Sequence, residues 1–139
     1  MAESRDDTRA LIGSLLAAYT PSAQRVRAYL PALLGGETPI VALASAGTRR
    51  ERMTAQGSRP VFNVDVHLFT LYASDADGWT EEDAEASLDD LEAAVCAFVD
   101  DNQKTSRWRA IRYADTSKVD TITEEGFTYR HEVIRLEVS

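Results

Sequence analysis

The stretch VFNVDVHLFTLY, from Val61 to Tyr72, is the part of this sequence that most restricts the fold. Apolar residues alternate there with Asn63, Asp65 and His67, which is the period of a β-strand with one face in a core. At ~3.3 Å per residue the strand is about 40 Å long. A compact domain of 139 residues has a radius of gyration of about 14 Å. The strand therefore either spans the domain or extends beyond its own core.

A helix is predicted before this strand, over residues 4–19. Apolar residues recur there at three- and four-residue steps, and Ser4 with Asp7 can cap the start. Pro21 follows and ends the helix. The segment QRVRAYL is expected to be a short extended piece after it.

A second helix is predicted at about 80–102. Thr80 and Asp83 form a capping box, and acidic residues in the first turn suit the positive end of the helix dipole. The apolar face consists of Ala84, Leu88, Leu91, Val95, Phe98 and Val99. Eleven acidic residues lie between Asp75 and Asp101 without a lysine or arginine among them, so most are expected on the solvent side of this helix.

The remaining elements indicate an α+β domain with a mainly antiparallel or mixed sheet, flanked by an N-terminal helix and the central helix. Further strands are predicted at 39–46, 107–114, 117–123 and 127–138. A chain of this length is expected to form one domain, 1–139. In the last strand, Tyr129 and Ile134 belong to opposite faces. Either a bulge near Val133 switches the faces, or both faces are covered.

The segment AGTRRERMTAQGSRP gathers Arg49, Arg50, Arg52 and Arg59 in a chain whose formal net charge is −8. Residues 47–59 show neither the strand nor the helix period, and loops of that length are usually functional or disordered. A protruding loop or hairpin arm is therefore expected at 47–59. Two interpretations remain open: an assembly arm that orders on contact with an acidic partner, or a solvated hairpin tip. Contact with DNA is a weaker third.

Composition excludes several classes of function. The acidic balance opposes general DNA binding, which needs positive charge. The single cysteine, Cys96, excludes an internal disulfide and suits a reducing compartment. No run of 18 apolar residues is present, and the charged N-terminal segment has no signal-peptide pattern. A soluble cytoplasmic protein without membrane contact is expected.

A search for catalytic or metal-ligating patterns gives weak candidates. His67 and His131 lie on predicted strands and could approach each other, but no third and fourth ligands accompany them, so two ordinary strand histidines are expected. Cys96 flanks the apolar helix face, where an inert thiol is the default. SDADGWTEE resembles part of a calcium loop, but with Gly78 at its sixth position the first and twelfth ligands would be alanines.

The two tryptophans and the paired glycines have plain interpretations as well. Trp79 and Trp108 are expected in a core or an interface. Gly35 and Gly36 fit no phosphate-binding pattern. No catalytic residue, cofactor or metal site is predicted, and the chain is not expected to be an enzyme.

Four motifs in order carry a resemblance to a known family: PIVALASAGTRR, FNVDVHLFTLY, WTEEDAEASLDDLEAAV and GFTYRHEVIRLEV. From about residue 8 onward the sequence resembles the tail terminator (tail completion) proteins of long-tailed bacteriophages, especially those infecting actinobacteria. The order and spacing of the four motifs carry the resemblance, since no single motif is diagnostic.

The resemblance implies an α+β subunit of a hexameric ring in the tail or neck of a virion, assembled in the host cytoplasm. The ring caps the finished tail tube, stops its polymerisation and meets the head–tail connector. Its partners are further copies of the chain, the tube protein and the connector. DNA passes through the hole without specific binding, and no catalytic residue or cofactor is implied. Three alternatives remain. The chain could be another neck or head–tail joining protein, or a nucleic-acid-binding module that uses the arginines. It could also be a small enzyme whose site brings His67 and His131 together with a carboxylate.

Overall fold

The computed structural model describes residues 4–54, 57–72 and 80–139. Its elements are α1 (Arg5–Tyr19), β1 (Arg25–Arg27), β2 (Ile40–Thr54), β3 (Gly57–Leu71), α2 (Glu81–Asp101), β4 (Ile111–Tyr113), β5 (Lys118–Glu124) and β6 (Phe127–Val138). The strands form one sheet in the order β1-β2-β3-β6, and β4 and β5 both pair with β6. Among the strand pairs of these described residues, only β1–β2 is parallel. The predicted α+β class is confirmed.

Both helices begin at the predicted caps. The Ser4 hydroxyl accepts a hydrogen bond from the Asp7 amide at 3.1 Å. Thr80 and Asp83 form the reciprocal capping box, which satisfies two amides that the first helical turn leaves without partners. In the described part of the chain no helix has the length and apolar content that a bilayer crossing requires.

The main core lies between the two helices and one face of the sheet, called here the helix face. It is formed by alternate residues of β3 and β6 and by the apolar face of α2. Phe62, Val64, Val66 and Leu68 come from β3, and Ile134, Leu136 and Val138 from β6. The alternation that predicted the long strand is therefore confirmed.

The opposite face of the sheet, called here the outer face, has a second and smaller core. Phe69, Leu71 and Tyr129 pack there with Leu34 from the segment between β1 and β2. That segment passes close over the end of β6: Gly36 has a φ of 74°, and a Cβ at this position would lie 2.8 Å from the Phe127 ring. A side chain at residue 36 would therefore be both strained and obstructed.

The second core explains why β6 carries apolar residues on both faces. The β3–β6 register runs without interruption from Leu71–Tyr129 to Phe62–Val138, so no bulge switches the faces near Val133. Both faces are covered instead.

The strand predicted over 107–114 is wrong in its first part. Only Ile111–Tyr113 is strand. Trp108 lies before it and is 1% exposed, with its indole N–H donating to the Asn102 carbonyl at 2.8 Å. The tryptophan thus closes the helix end against the core rather than extending the sheet.

The strand predicted over 39–46 is also too short, because β2 continues to Thr54 and β3 begins at Gly57. Residues 47–54 and 57–59, expected to be loop or hairpin, are strand and pair with each other. Register shifts occur between Ser45 and Gly47 and again between Arg52 and Thr54. These irregularities break the alternation in the sequence, and polar residues on both faces remove the remaining signal.

Candidate functional site

The end of the β2–β3 pair extends past the rest of the sheet. Strand β6 ends at Val138, which pairs with Phe62, whereas β3 begins five residues earlier. Beyond the Phe62–Val138 pair, residues 50–54 of β2 and 57–60 of β3 pair only with each other among the described strands. These residues are called the hairpin tip below. At ~3.3 Å per residue, the tip adds roughly 17 Å to the sheet.

The structure separates the four predicted arginines into different environments. Arg49 and Arg59 form ion pairs on the outer face. Arg50 pairs in register with Pro60, and its side chain is exposed. Arg52 pairs with Ser58, and its side chain lies outside the described part. The four arginines therefore do not form one uniform basic patch.

Arg49 and Arg59 belong to a network that also contains Glu51, Arg112 and Glu137, called here the arginine–glutamate network. Arg49 contacts Glu51 at 3.0 Å and Glu137 at 3.2 Å, and Arg59 contacts Glu51 at 2.8 Å. Arg112 reaches Glu137 at 3.1 Å. The hydrogen bond from Arg59 lowers the pKa of the Glu51 carboxyl, so the glutamate stays ionised. Much of the positive charge of Arg49 and Arg59 is thus balanced within the chain.

The acidic half of this network, Glu51 and Glu137, is not indicated by the sequence pattern. Arg49 and Glu51 are two residues apart in one strand and share a face, a spacing that is visible in the sequence. Glu137 and Arg112 come from β6 and β4, so their approach depends on the sheet order.

The side chain of Arg50, at the hairpin tip, forms no ion pair with any residue of the described ranges 4–54, 57–72 and 80–139. It lines a shallow cleft with Ser4, Arg5, Thr48, Pro60 and Phe62. Arg5 donates to the Thr48 hydroxyl at 3.3 Å, so two guanidinium groups face this cleft. An acidic partner is the chemistry that such a surface favours.

Helix α2 presents the opposite charge. Nine acidic residues lie between Glu81 and Asp101, with no basic residue among them. Most are exposed, as predicted; Glu85 and Glu92 are half-buried. Glu85 accepts a bond from Arg130 at 2.6 Å, whereas Asp89 and Asp90 in the middle of the helix are exposed to solvent. One chain therefore carries a basic cleft and an acidic helix.

His67 and His131 meet on the outer face, which confirms the predicted approach. His67 Nδ1 lies 2.9 Å from His131 Nε2, and His131 Nδ1 lies 2.9 Å from Asp120 Oδ1. The rings stack on each other and on Phe69. Burial, followed by the nearby His131, lowers the pKa of His67, so the neutral imidazole of His67 is favoured at pH 7. In the described part of the chain, no three His, Cys, Asp or Glu side chains are placed to hold a metal ion.

Cys96 lies across the sheet from the histidines, since α2 packs on the helix face. Its thiol donates to a Glu92 carboxylate oxygen at 3.3 Å. Burial, with the carboxylates nearby, raises the pKa of Cys96 to about 11. The thiolate is therefore scarce at neutral pH, in agreement with the expected inert thiol.

The tryptophan and calcium-loop predictions have separate outcomes. Trp108 is a core residue, as expected, and Trp79 lies outside the described residues. Most of the SDADGWTEE segment also lies outside them. Ala84, which would be the twelfth position of the calcium loop, is fully buried, and Thr70 donates a hydrogen bond to its carbonyl at 3.2 Å.

Glu132 is a buried carboxyl that the sequence pattern did not single out. It lies on the helix face of β6, 6% exposed, and accepts a hydrogen bond from Ser117 at 2.5 Å. Burial raises its pKa above the ordinary 4.5, and Glu92 and Asp89 act in the same direction. The ionised form is therefore disfavoured in the folded chain.

Replacement of Glu132 by Gln is expected to stabilise the protein at neutral pH. Because the folded-state pKa of Glu132 is raised, the protonated carboxyl contributes to stability. This contribution is complete below pH 4.5 and is lost as pH rises through the folded-state pKa. The carbonyl oxygen of glutamine still accepts the hydrogen bond from the Ser117 hydroxyl, and the buried charge is removed. Urea unfolding followed across pH should show E132Q above the wild type at pH 7, with the difference shrinking in acid. The exposed control E125Q should show no such trend, and a wild type more stable than E132Q at pH 7 would contradict the interpretation.

Comparison with known proteins gives a likeness to solved structures. No family model matches the chain, and no curated protein matches it. Among solved structures, the chain is similar to a chain from the virion of a native gene transfer agent particle. The TM-score is 0.49 and the sequence identity 17%, covering 96% of this chain and 90% of that chain.

Proposed function

We propose that this chain is a structural subunit of a bacteriophage virion, a tail terminator whose ring caps the tail tube, stops its polymerisation and joins it to the head connector. The resemblance of four ordered motifs to that family supports the proposal. The observation that carries it is the hairpin tip, a pair of strands that continues beyond its own sheet and core.

The hairpin tip is suited to work outside its own chain. Its residues 50–54 and 57–60 lie beyond the last row of β6, so side chains there gain little by packing within the subunit. Arg50 leaves a positive charge exposed, and the α2 carboxylates offer a negative surface on a second copy. A head-to-tail contact between two different surfaces of identical chains forms a ring when the rotation from one copy to the next closes.

The charge of the chain fits a passage for DNA. With a formal net charge of −8, a ring of such subunits repels phosphate over most of its surface. DNA can then slide through the opening without being held. In this proposal the arginines act in assembly and contribute no specific DNA site.

Native mass spectrometry of the purified chain, together with deletion of its gene from the phage, tests the proposal. A closed oligomer, expected to be a hexamer, and overlong tails in the deletion lysate are the expected results. Tails of normal length that lie detached from heads would assign the chain to the neck or connector instead. A chain that stays monomeric at every concentration, with a deletion that leaves virions normal, would reject both roles.

A further inference from the structure

Strands β1 and β5 lie at opposite sides of the sheet, and each leaves an open edge. Strand β1 pairs only with β2, and β5 pairs only with β6, among the described strands. β5 is seven residues long and rich in β-branched residues, and most of its residues are exposed. A strand of that kind with unpaired backbone groups is a template for another strand.

We propose that β5 of one copy pairs with β1 of the next, so that the sheets join edge to edge around the ring. This inference rests on the proposed ring and adds the surface through which neighbouring copies bind. The occupant of each edge is a second copy of this chain.

Strand direction supports the pairing. β1 runs with β2, β2 opposes β3, β3 opposes β6 and β6 opposes β5, so β1 and β5 point in opposite directions. A copy related by rotation about an axis along the strands keeps both directions. Its β1 therefore meets β5 in antiparallel orientation, for which closely matched hydrogen bonds form.

The register of the sheet also places complementary side chains in the same rows. One row runs Arg25–Ile40–Phe69–His131–Asp120, and the next runs Val26–Val41–Leu68–Glu132–Val119. Without an axial shift, the neighbour's Arg25, which contacts Glu37 of its own chain at 2.9 Å, would lie beside Asp120 on the outer face, where Asp120 contacts His131 at 2.9 Å. Its Val26 would lie beside Val119, which is 43% exposed in the single subunit. Cross-strand pairs of opposite charge and of β-branched residues both stabilise a sheet.

The third row is less favourable, since it joins Arg27 to Lys118. Like charges directly opposite each other weaken a strand pair. This row gives the pairing a distinctive signature, because replacement of Lys118 by Glu should strengthen assembly even though it makes the chain more acidic.

Crosslinking between introduced cysteines tests the pairing directly. In a Cys96→Ser background, V26C/V119C should give covalent oligomers with a short bifunctional maleimide. The two positions are four strand spacings apart within one chain, about 19 Å, so such a reagent cannot join them internally. The control V26C/T123C moves the second cysteine about 13 Å along the same face of β5 and should crosslink far less.

A charge placed in the valine row gives an independent measurement. Val119→Lys should raise the concentration at which half the chains are assembled by about tenfold or more, because the lysine would face Val26 without a partner. Thr123→Lys, on the same face of β5 but beyond the rows of β1, should have little effect, and circular dichroism should show both variants folded.

The results separate this inference from the proposed ring. Preferred V26C/V119C crosslinks, a loss of assembly in V119K and a gain in K118E support edge pairing. A wild-type ring that persists in V119K, with no preferred crosslink, would overturn the pairing and leave the ring in place. A wild type that never assembles would overturn both.

Discussion

Trp108→Ala is expected to lower the free energy of unfolding by about 3–5 kcal/mol, the usual loss when a large aromatic side chain is removed from a core. Trp108 is 1% exposed and belongs to the main core, which joins both helices to the helix face. Domains have a total stability of about 5–15 kcal/mol, so the variant should be unfolded to a measurable extent near physiological temperature. Urea unfolding followed by circular dichroism measures the loss.

Trp108→Phe is the matched control for the hydrogen bond of the indole. Phenylalanine retains most of the apolar contact but removes the N–H that donates to Asn102 at 2.8 Å. Its loss should be roughly 1–2 kcal/mol, from the unpaired carbonyl and the smaller ring. If W108A cost less than about 1 kcal/mol, Trp108 would not anchor the end of α2 as described.

In the proposed ring, Arg50→Glu is expected to leave the subunit folded and to impair its assembly. Arg50 is exposed and has no ion pair in the described part of the chain, so reversing its charge should change the free energy of unfolding by no more than about 0.5 kcal/mol. At an interface with an acidic partner, a new like-charge contact costs several kcal/mol, so association should weaken by about tenfold or more. Native mass spectrometry at fixed concentration, and tail length in phage that carry the variant, measure these effects.

Two controls show whether the effect belongs to the hairpin tip. Arg50→Lys keeps the positive charge and should retain most of the assembly. Arg109→Glu makes the same charge change at an exposed position of another segment and should assemble normally. If R50E phage had tails of normal length and full infectivity, the tip would have no role in assembly and would be a solvated extension of the sheet.

The helices and the long central strand could be predicted from the sequence because their signals are local. Ser4 and Thr80 each cap a helix through a residue three positions later. The alternation from Val61 to Leu71 needs only the two-residue period of one strand. The approach of His67 to His131 was a weaker expectation, since it also required their strands to be neighbours.

Long-range pairing decided the rest. Residues 47–54 show no alternation because a register shift follows Ser45 and both faces are polar, so their strand structure depends on the opposite strand. Glu137 balances Arg49 only because β6 lies beside β3, and that arrangement made the four arginines unequal.

The sequence by itself determined the caps, the periods and the apolar faces, since each of these depends on residues a few positions apart. Only the tertiary structure decided which charges are neutralised and which strand edges stay open, because both depend on residues that are distant in the chain and adjacent in the sheet.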